Sequence, residues 1–352
     1  MTSKIIGVGN YIPTEKIPNV SFENHHFLDK EGRQLEEDNT TITQKFRDIT
    51  GIEERRYAPK DMVCSDLGLI AAKRAIADAD IDPETLDYII FAQNFGDVAY
   101  GSIQSDFVPS LASRVKHQLR IKNNYCIAYD LVFGCPGWLE GLIQANAFIQ
   151  SGIAKRCLVI GAETLSRVVD IHDRDSMIYA DGAGAVIVEA NKDGAGVKSH
   201  LSASFTYKEK DYLHFGKSYD KNSCDATKYI KMNGRKIYEF ALSHVPQAMK
   251  KCLDESGYPI EELSKIIIHQ ANGKMDEEIV NRFYKLYEKP VPEAIMPLVI
   301  RELGNSSVAT IPSLLTMILN KELPAHEVQE GDVLMFASLG AGMNLNALVY
   351  KV

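Results

Sequence analysis

The sequence has no closely spaced cysteines: Cys64, Cys126, Cys135, Cys157, Cys224 and Cys252 are scattered. That excludes a sequence-encoded metal knuckle and a disulfide framework. His25 and His26 are adjacent, and neighbouring side chains on a helix or strand do not converge on one ion, so no metal is expected there either. The N-terminus, Met-Thr-Ser-Lys-Ile-Ile-Gly-Val-Gly, lacks the apolar run and cleavage site of a signal peptide. Nowhere does the chain approach the roughly 20 apolar residues that span a bilayer. An excess of positive charge is missing too, and a net charge of -8 argues against a nucleic-acid-binding surface. Gly182 and Gly184 form neither a full dinucleotide fingerprint nor a phosphate loop. The expected setting is reducing and cytoplasmic, with no nucleic acid and no membrane insertion.

The 352 residues are 45% hydrophobic and 24% charged, enough for one large core or two fused ones. Apolar runs predict strands at residues 4–8, 86–92, 157–161, 197–205, 266–269, 332–337 and 344–352. Helical periodicity covers residues 65–79, with Ser65 as N-cap, 108–119, 233–253, 275–287 and 306–319, the last interrupted by Pro312. The stretch from Asp181 reads as a tight glycine turn entering a strand. Residues 9–19 and 51–57 read as loop and connector, and 208–231 show no clear pattern. An internal repeat divides the chain. Asp82-Pro-Glu-Thr-Leu-Asp-Tyr-Ile-Ile-Phe-Ala-Gln93 matches Pro259-Ile-Glu-Glu-Leu-Ser-Lys-Ile-Ile-Ile-His-Gln270 at Glu84/Glu261, Leu86/Leu263, Ile89/Ile266, Ile90/Ile267 and Gln93/Gln270. The offset is close to half the chain. This implies a duplicated αβ unit in an α/β protein with mostly parallel strands, with halves at 1–190 and 191–352 and a hinge near 191–196.

The stretch from Asn124 to Ala145 carries the first chemical signal. A β-prone segment runs into Gly134-Cys135-Pro136-Gly137, and a helical pattern follows. A thiol there meets unpaired helix N–H groups and the positive end of the dipole, which favour a thiolate and make Cys135 a candidate nucleophile. A small buried thiol is the other reading of the same residues. His269 follows a strand, at the carboxyl end where open α/β sheets place ligands. Asn305 lies in a polar turn before an apolar helix, and Gly340-Ala341-Gly342 offers unobstructed backbone N–H groups. A hydrogen-bonded structural histidine and an ordinary turn remain open for these two. A thiol, an imidazole and an amide can together run acyl transfer, with backbone amides holding the oxyanion.

Taken with Gly51-Ile-Glu-Glu-Arg-Arg-Tyr-Ala58, Leu158-Val-Ile-Gly-Ala-Glu163, Asp173-Arg-Asp-Ser-Met-Ile-Tyr-Ala-Asp-Gly-Ala-Gly-Ala185, His269-Gln-Ala-Asn272 and Gly304-Asn-Ser-Ser307, the chain resembles the β-ketoacyl-acyl carrier protein synthase III family, condensing enzymes of the thiolase superfamily. The similarity extends over nearly the whole length. It implies a thiolase-like duplicated αβαβα five-layer fold and a homodimer pairing near residues 125–129. It further implies Cys135 as the acylated nucleophile, His269 and Asn305 as its partners, and the N–H groups of Cys135 and Ala341 as an oxyanion hole. The implied reaction moves an acyl group from acyl-coenzyme A to Cys135, then condenses it with malonyl-acyl carrier protein, with loss of carbon dioxide. Coenzyme A enters as a thioester substrate, and no permanently bound cofactor is implied. Lys274 falls where the family places a carrier-protein contact, with Lys285 and Lys289 extending a basic strip.

Several positions depart from the family pattern. Phe133 and Trp138 flank Cys135 with more bulk than usual, so both are expected to reshape the acyl pocket. Lys45 and Ile49 stand where the bacterial type often places a tryptophan and an arginine for the adenine, and residues 24–44 are longer than usual. The related hydroxymethylglutaryl-coenzyme A synthases need a glutamate where this chain has Ala92-Gln-Asn-Phe-Gly96. Thiolases need a second cysteine that Gly340-Ala-Gly-Met343 lacks. The alternatives are a condensing enzyme of secondary metabolism with the same three residues, and a non-catalytic subunit that binds acyl carrier protein.

Overall fold

The computed structural model describes residues 2–223 and 226–352, so Cys224 lies outside the described residues. In chain order the first half holds β1 (Thr2–Tyr11), β2 (Glu15–Pro18), α1 (Asn39–Thr50), β3 (Glu54–Tyr57), α2 (Cys64–Asp78) and β4 (Tyr88–Ala92). It continues with α3 (Leu111–Gln118), β5 (Ile127–Leu131), α4 (Gly137–Gln150), β6 (Arg156–Thr164) and β7 (Asp181–Asn191). The second half opens with β8 (Gly196–Ser204), α5 (Thr206–Glu209), β9 (Leu213–Lys217), β10 (Lys228–Met232), α6 (Gly234–Ser256) and β11 (Leu263–Ile268). It closes with α7 (Gly273–Lys285), α8 (Ile300–Leu303), α9 (Thr310–Leu319), β12 (Val333–Gly340) and β13 (Asn344–Lys351).

The two large sheets repeat one another. The first has the order β1-β7-β6-β4-β5 and the second β8-β13-β12-β11. In each, the first two pairings are antiparallel and the third is parallel; β5 adds a parallel edge strand to the first sheet. Both copies of the internal repeat enter the equivalent strand, β4 or β11, through a 3-10 turn at Pro83–Thr85 or Ile260–Glu262. Helices α2 and α3 cover the outer face of the first sheet, and α6 and α7 that of the second. Between the sheets lie α4 and α9, where Trp138, Leu142 and Ile149 are buried with Leu314, Leu315 and Ile318. Each buried aliphatic side chain contributes about 1.5–3 kcal/mol relative to exposure. The result is the five-layer αβαβα arrangement.

Several local expectations change. The sheets are mixed, but parallel pairing is the minority: β4–β5, β4–β6 and β11–β12 against four antiparallel pairings. The apolar run at 157–161 is parallel to β4 yet antiparallel to β7, because continuous apolarity reports burial on both faces rather than direction. Ser65 does not cap α2. The helix starts at Cys64, while the N–H and Oγ of Ser65 both donate to Asp97, at 2.7 and 2.6 Å. Pro312 does not interrupt α9, since it falls in the first turn, where a missing N–H leaves no intrahelical bond unmade. The segment from Asp181 is strand from its first residue. Gly184 of β7 and Gly161 of β6 make room for the first turn of α9 and the chain just before it: a Cβ on Gly184 would lie 2.6 Å from Ser313 N, and one on Gly161 2.4 Å from Val308 O. Residues 9–19 and 51–57 contribute β2 and β3, an antiparallel pair. Residues 208–231 form most of the β9–β10 hairpin.

Candidate active site

Cys135 lies in the turn between β5 and α4, with Pro136 at the N-cap position. Gly134 has φ +69°, and a Cβ on it would lie 2.7 Å from Ala341 N. Gly340 is extended, but a Cβ there would lie 2.4 Å from Cys135 N. The two glycines thus bring the nucleophile turn and the β12–β13 connection into backbone contact, with the Cys135 and Ala341 nitrogens close to the join. Asn344 staples the two segments, its Nδ2 donating to Phe133 O at 3.3 Å and Ala341 O at 3.0 Å.

His269 leaves the end of β11, where its N–H donates to Ala337 O at 2.9 Å. Its ring is buried, and Nδ1 has no hydrogen-bond partner among the described residues. The rest of the motif is framework. Gln270 accepts the N–H groups of Val299 and Ile300 at 3.0 Å each and donates to Pro297 O at 2.7 Å. Asn272 caps α7 by accepting from Met275 N at 3.1 Å. The Asn305 carboxamide accepts the Ser307 N–H at 2.8 Å through Oδ1, which leaves Nδ2 as its donor end.

Cys135, His269 and Asn305 line one cavity of about 120 Å³. On one side it shares Ile178, Met232, Gly234, Tyr238 and Asn272 with an open cleft of about 620 Å³, bordered by Lys30, Lys45, Arg174 and Arg235. On the other it shares Cys135, Tyr179 and Leu213 with a cavity of about 340 Å³ walled by Phe95, Phe133, Leu165, Phe215 and Ile230. The β9–β10 hairpin borders both of these cavities through Leu213. The sulfur stands between that cleft, whose border also carries Glu37 and Asp175, and a cavity walled by apolar side chains.

Burial pushes the Cys135 thiol up to about 11; the Ser307 hydroxyl, 3.3 Å from Sγ, pulls it down and the charge of Glu163 raises it. The thiolate expected from the helix terminus is therefore a thiol at neutral pH, because desolvation outweighs the helix start. Burial likewise lowers His269 to about 4, so its imidazole is neutral and offers one N–H donor.

The other expected residues scatter. Phe133 lines the apolar cavity. Trp138 does not: it is 1% exposed in the core between the sheets, with Nε1 donating to Val159 O at 3.4 Å, because its helix position turns it inward. Lys274 is exposed in the first turn of α7, two residues after Asn272 of the cleft border, whereas Lys285 and Lys289 lie at the far end of α7 and just beyond it, and Lys289 pairs with Glu261 at 2.7 Å. Lys45 and Ile49 both border the cleft. Sequence reasoning missed Asn94, Glu163 and Ser307. The last two lie inside motifs quoted above, but nothing in their spacing brings them together.

Comparison with known proteins finds relatives over the whole length of the chain. Residues 129–204 match the family described as 3-oxoacyl-(acyl-carrier-protein) synthase III, and residues 253–352 its C-terminal region. The chain is 32% identical over 355 residues to beta-ketoacyl-(acyl-carrier-protein) synthase III of Aquifex aeolicus, covering 100% of both chains. It is 31% identical over 353 residues to that of Bacillus pumilus, covering 100% of this chain and 99% of the relative. The crystal structure of the synthase from Aquifex aeolicus superposes with a TM-score of 0.81 at 30% identity, covering 99% of this chain and 100% of that one.

Proposed function

The chain belongs to the 3-oxoacyl-(acyl-carrier-protein) synthase III family of acyl-transferring condensing enzymes, and from that premise we propose that it joins an acyl group from acyl-coenzyme A to malonyl-acyl carrier protein through an acyl-Cys135 intermediate. The observation that carries this reading is the shared cavity: Cys135, His269 and Asn305 border one space between a cleft edged by four cationic side chains and two carboxylates and a pocket with apolar walls. An acyl thioester has the matching shape, with an apolar tail, a reactive carbonyl and a phosphate-bearing carrier.

In the first half-reaction Cys135 Sγ attacks the thioester carbonyl, the bond to the coenzyme A sulfur breaks, and that sulfur leaves with the proton given up by the thiol. The N–H groups of Cys135 and Ala341 hold the oxyanion. In the second, malonyl-acyl carrier protein loses carbon dioxide, and its thioester oxygen gains negative charge. Asn305 Nδ2 and a neutral His269 N–H donate to that oxygen. Neutrality suits His269 to this role, since a donor in a desolvated site needs no counter-ion. The enolate carbon then attacks the acyl carbonyl, the Cys135 sulfur leaves and takes a proton from solvent, and the 3-oxoacyl thioester departs on the carrier.

Lys30, Lys45, Arg174 and Arg235 border the cleft and would meet the phosphates of the carrier, and Lys274, exposed in the first turn of α7, would contact the carrier protein. Lys285 and Lys289 extend that contact along α7 toward an acidic partner. The edge of β5, where Ile127 is 48% exposed and the flanking Tyr125 and Val132 are exposed as well, is where a second copy would pair to form the homodimer. The test is turnover. Purified protein supplied with malonyl-acyl carrier protein and a series of acyl-coenzyme A donors is expected to release one carbon dioxide per 3-oxoacyl product, and the Cys135→Ala variant none. A protein that makes no product with any donor would contradict the reading.

A further inference from the structure

Beside the nucleophile runs a short chain of polar side chains that the mechanism above does not use. Asn94, just past the end of β4, accepts the Gly134 N–H through Oδ1 at 2.9 Å. A backbone N–H only donates, so this contact fixes which end of the carboxamide is which. The Nδ2 end then meets Glu163 Oε1 at 2.6 Å and Ser307 Oγ at 3.3 Å. Because Ser307 Oγ accepts from Asn94, its own hydrogen is directed elsewhere, and Cys135 Sγ lies 3.3 Å away. The Gly134 contact thus turns the donor end of Asn94 toward Glu163 and Ser307, and the one hydrogen of the Ser307 hydroxyl is left for the sulfur.

We propose that Ser307 is a positioning residue for the nucleophile: oriented by Asn94 and anchored through it on Glu163, its hydroxyl donates to Cys135 Sγ and stabilises the sulfur as its proton leaves. The proposal rests on the reading of Cys135 as the acylated residue. The backbone supports it independently. Ser307 has φ +52°, a left-handed conformation that a residue with a side chain adopts at a cost, and one found disproportionately at functional sites. The Asn305 carboxamide holds Ser307 there by accepting its N–H at 2.8 Å. One turn thus presents an amide to the substrate space and a hydroxyl to the sulfur. Glu163 is 1% exposed, so the anchor is out of reach of solvent, and one of its oxygens accepts from Asn94 in either protonation state.

The test uses two variants with opposite backbone consequences, Ser307→Ala and Ser307→Gly. Alanine keeps the left-handed strain and glycine relieves it, yet both remove the hydroxyl. The readout is the rate of Cys135 alkylation by iodoacetamide, located by mass, across pH. A hydrogen bond to a charged sulfur shifts its pKa by about one unit, and because the more basic thiolate is also the better nucleophile, about a threefold slowing at neutral pH remains. Both variants are expected to slow equally, about threefold at neutral pH, with the midpoint of the pH profile displaced upward by about one unit. Wild-type rates in both, or rates that separate as the stabilities of the two variants do, would overturn the proposal. Mass labelling of the wild-type protein by acyl-coenzyme A reports separately on the reading itself. Acyl transfer to Cys135 with unshifted profiles sinks only the role of Ser307.

Discussion

Asn305 and Tyr179 form a parallel β-bridge: the Asn305 N–H donates to Ile178 O at 3.0 Å, and its carbonyl accepts the Ala180 N–H at 2.8 Å. The segment before β7 thus holds a residue of the second half against the nucleophile of the first. With its backbone clamped, the carboxamide turns with little freedom, which suits a donor whose worth depends on being in place before charge develops.

Asn305→Ala is therefore expected to slow Cys135 acylation by no more than the roughly threefold that follows from freeing Ser307, while lowering condensation by about 10²–10³-fold. Quenched-flow labelling set against steady-state turnover separates the two steps. Equal loss in both would mean that Asn305 acts on the nucleophile rather than on the malonyl thioester.

Phe95 and Phe215 stack with ring centroids 5.0 Å apart and an interplanar angle of 13°, forming part of the wall of the apolar cavity. Phe215→Ala opens that wall, and the kcat/KM ratio for long over short acyl-coenzyme A donors is expected to rise by about tenfold. Competition between two donors in one reaction measures it directly, and an unchanged ratio would place the acyl tail elsewhere.

Much of this architecture was legible in the residues. The repeat at 82–93 and 259–270 marked two equivalent strands, because strand ends leave local patterns, whereas Cys135, His269 and Asn305 were joined into one site by the family resemblance of their motifs, their local patterns alone leaving structural readings open. Strand direction did not, since β6 is buried on both faces whichever way its neighbours run. Trp138 misled because a bulky residue three positions from a nucleophile on a helix can face the core as readily as the pocket. The contacts among Asn94, Glu163 and Ser307 join β4, β6 and the turn before α9, and only the folded chain brings them together.

His269 has its pKa lowered by burial from 6.5 to about 4. Between these values the unfolded chain binds a proton that the folded one refuses, so stability is expected to fall as pH drops from 6.5 to about 4. The loss from this group is on the order of 3 kcal/mol. Urea unfolding of wild type and His269→Gln across that range is expected to show a flatter pH dependence in the variant; parallel curves would contradict the buried neutral imidazole. Glu163, raised to about 8 by burial, has the opposite sign. It stays protonated in the folded state where the unfolded chain has released the proton, so its share of the stability falls as pH rises toward 8.

A Cβ on Gly184 would press on the first turn of α9, 2.6 Å from Ser313 N and 2.7 Å from Pro312. Gly184→Ala is expected to destabilise the fold by about 1–3 kcal/mol, since backbone cannot step aside as a side chain can. The urea midpoint reads this. A neutral substitution would mean that α9 stands further from β7 than the structure places it.

The most direct test of the account is the intact mass of the protein after incubation with acyl-coenzyme A donors of graded length, followed by a chase with malonyl-acyl carrier protein. The account predicts one acyl adduct on the wild-type chain, none on Cys135→Ala, and loss of the adduct on the chase. An adduct that persists in Cys135→Ala, or no adduct with any donor, would contradict it.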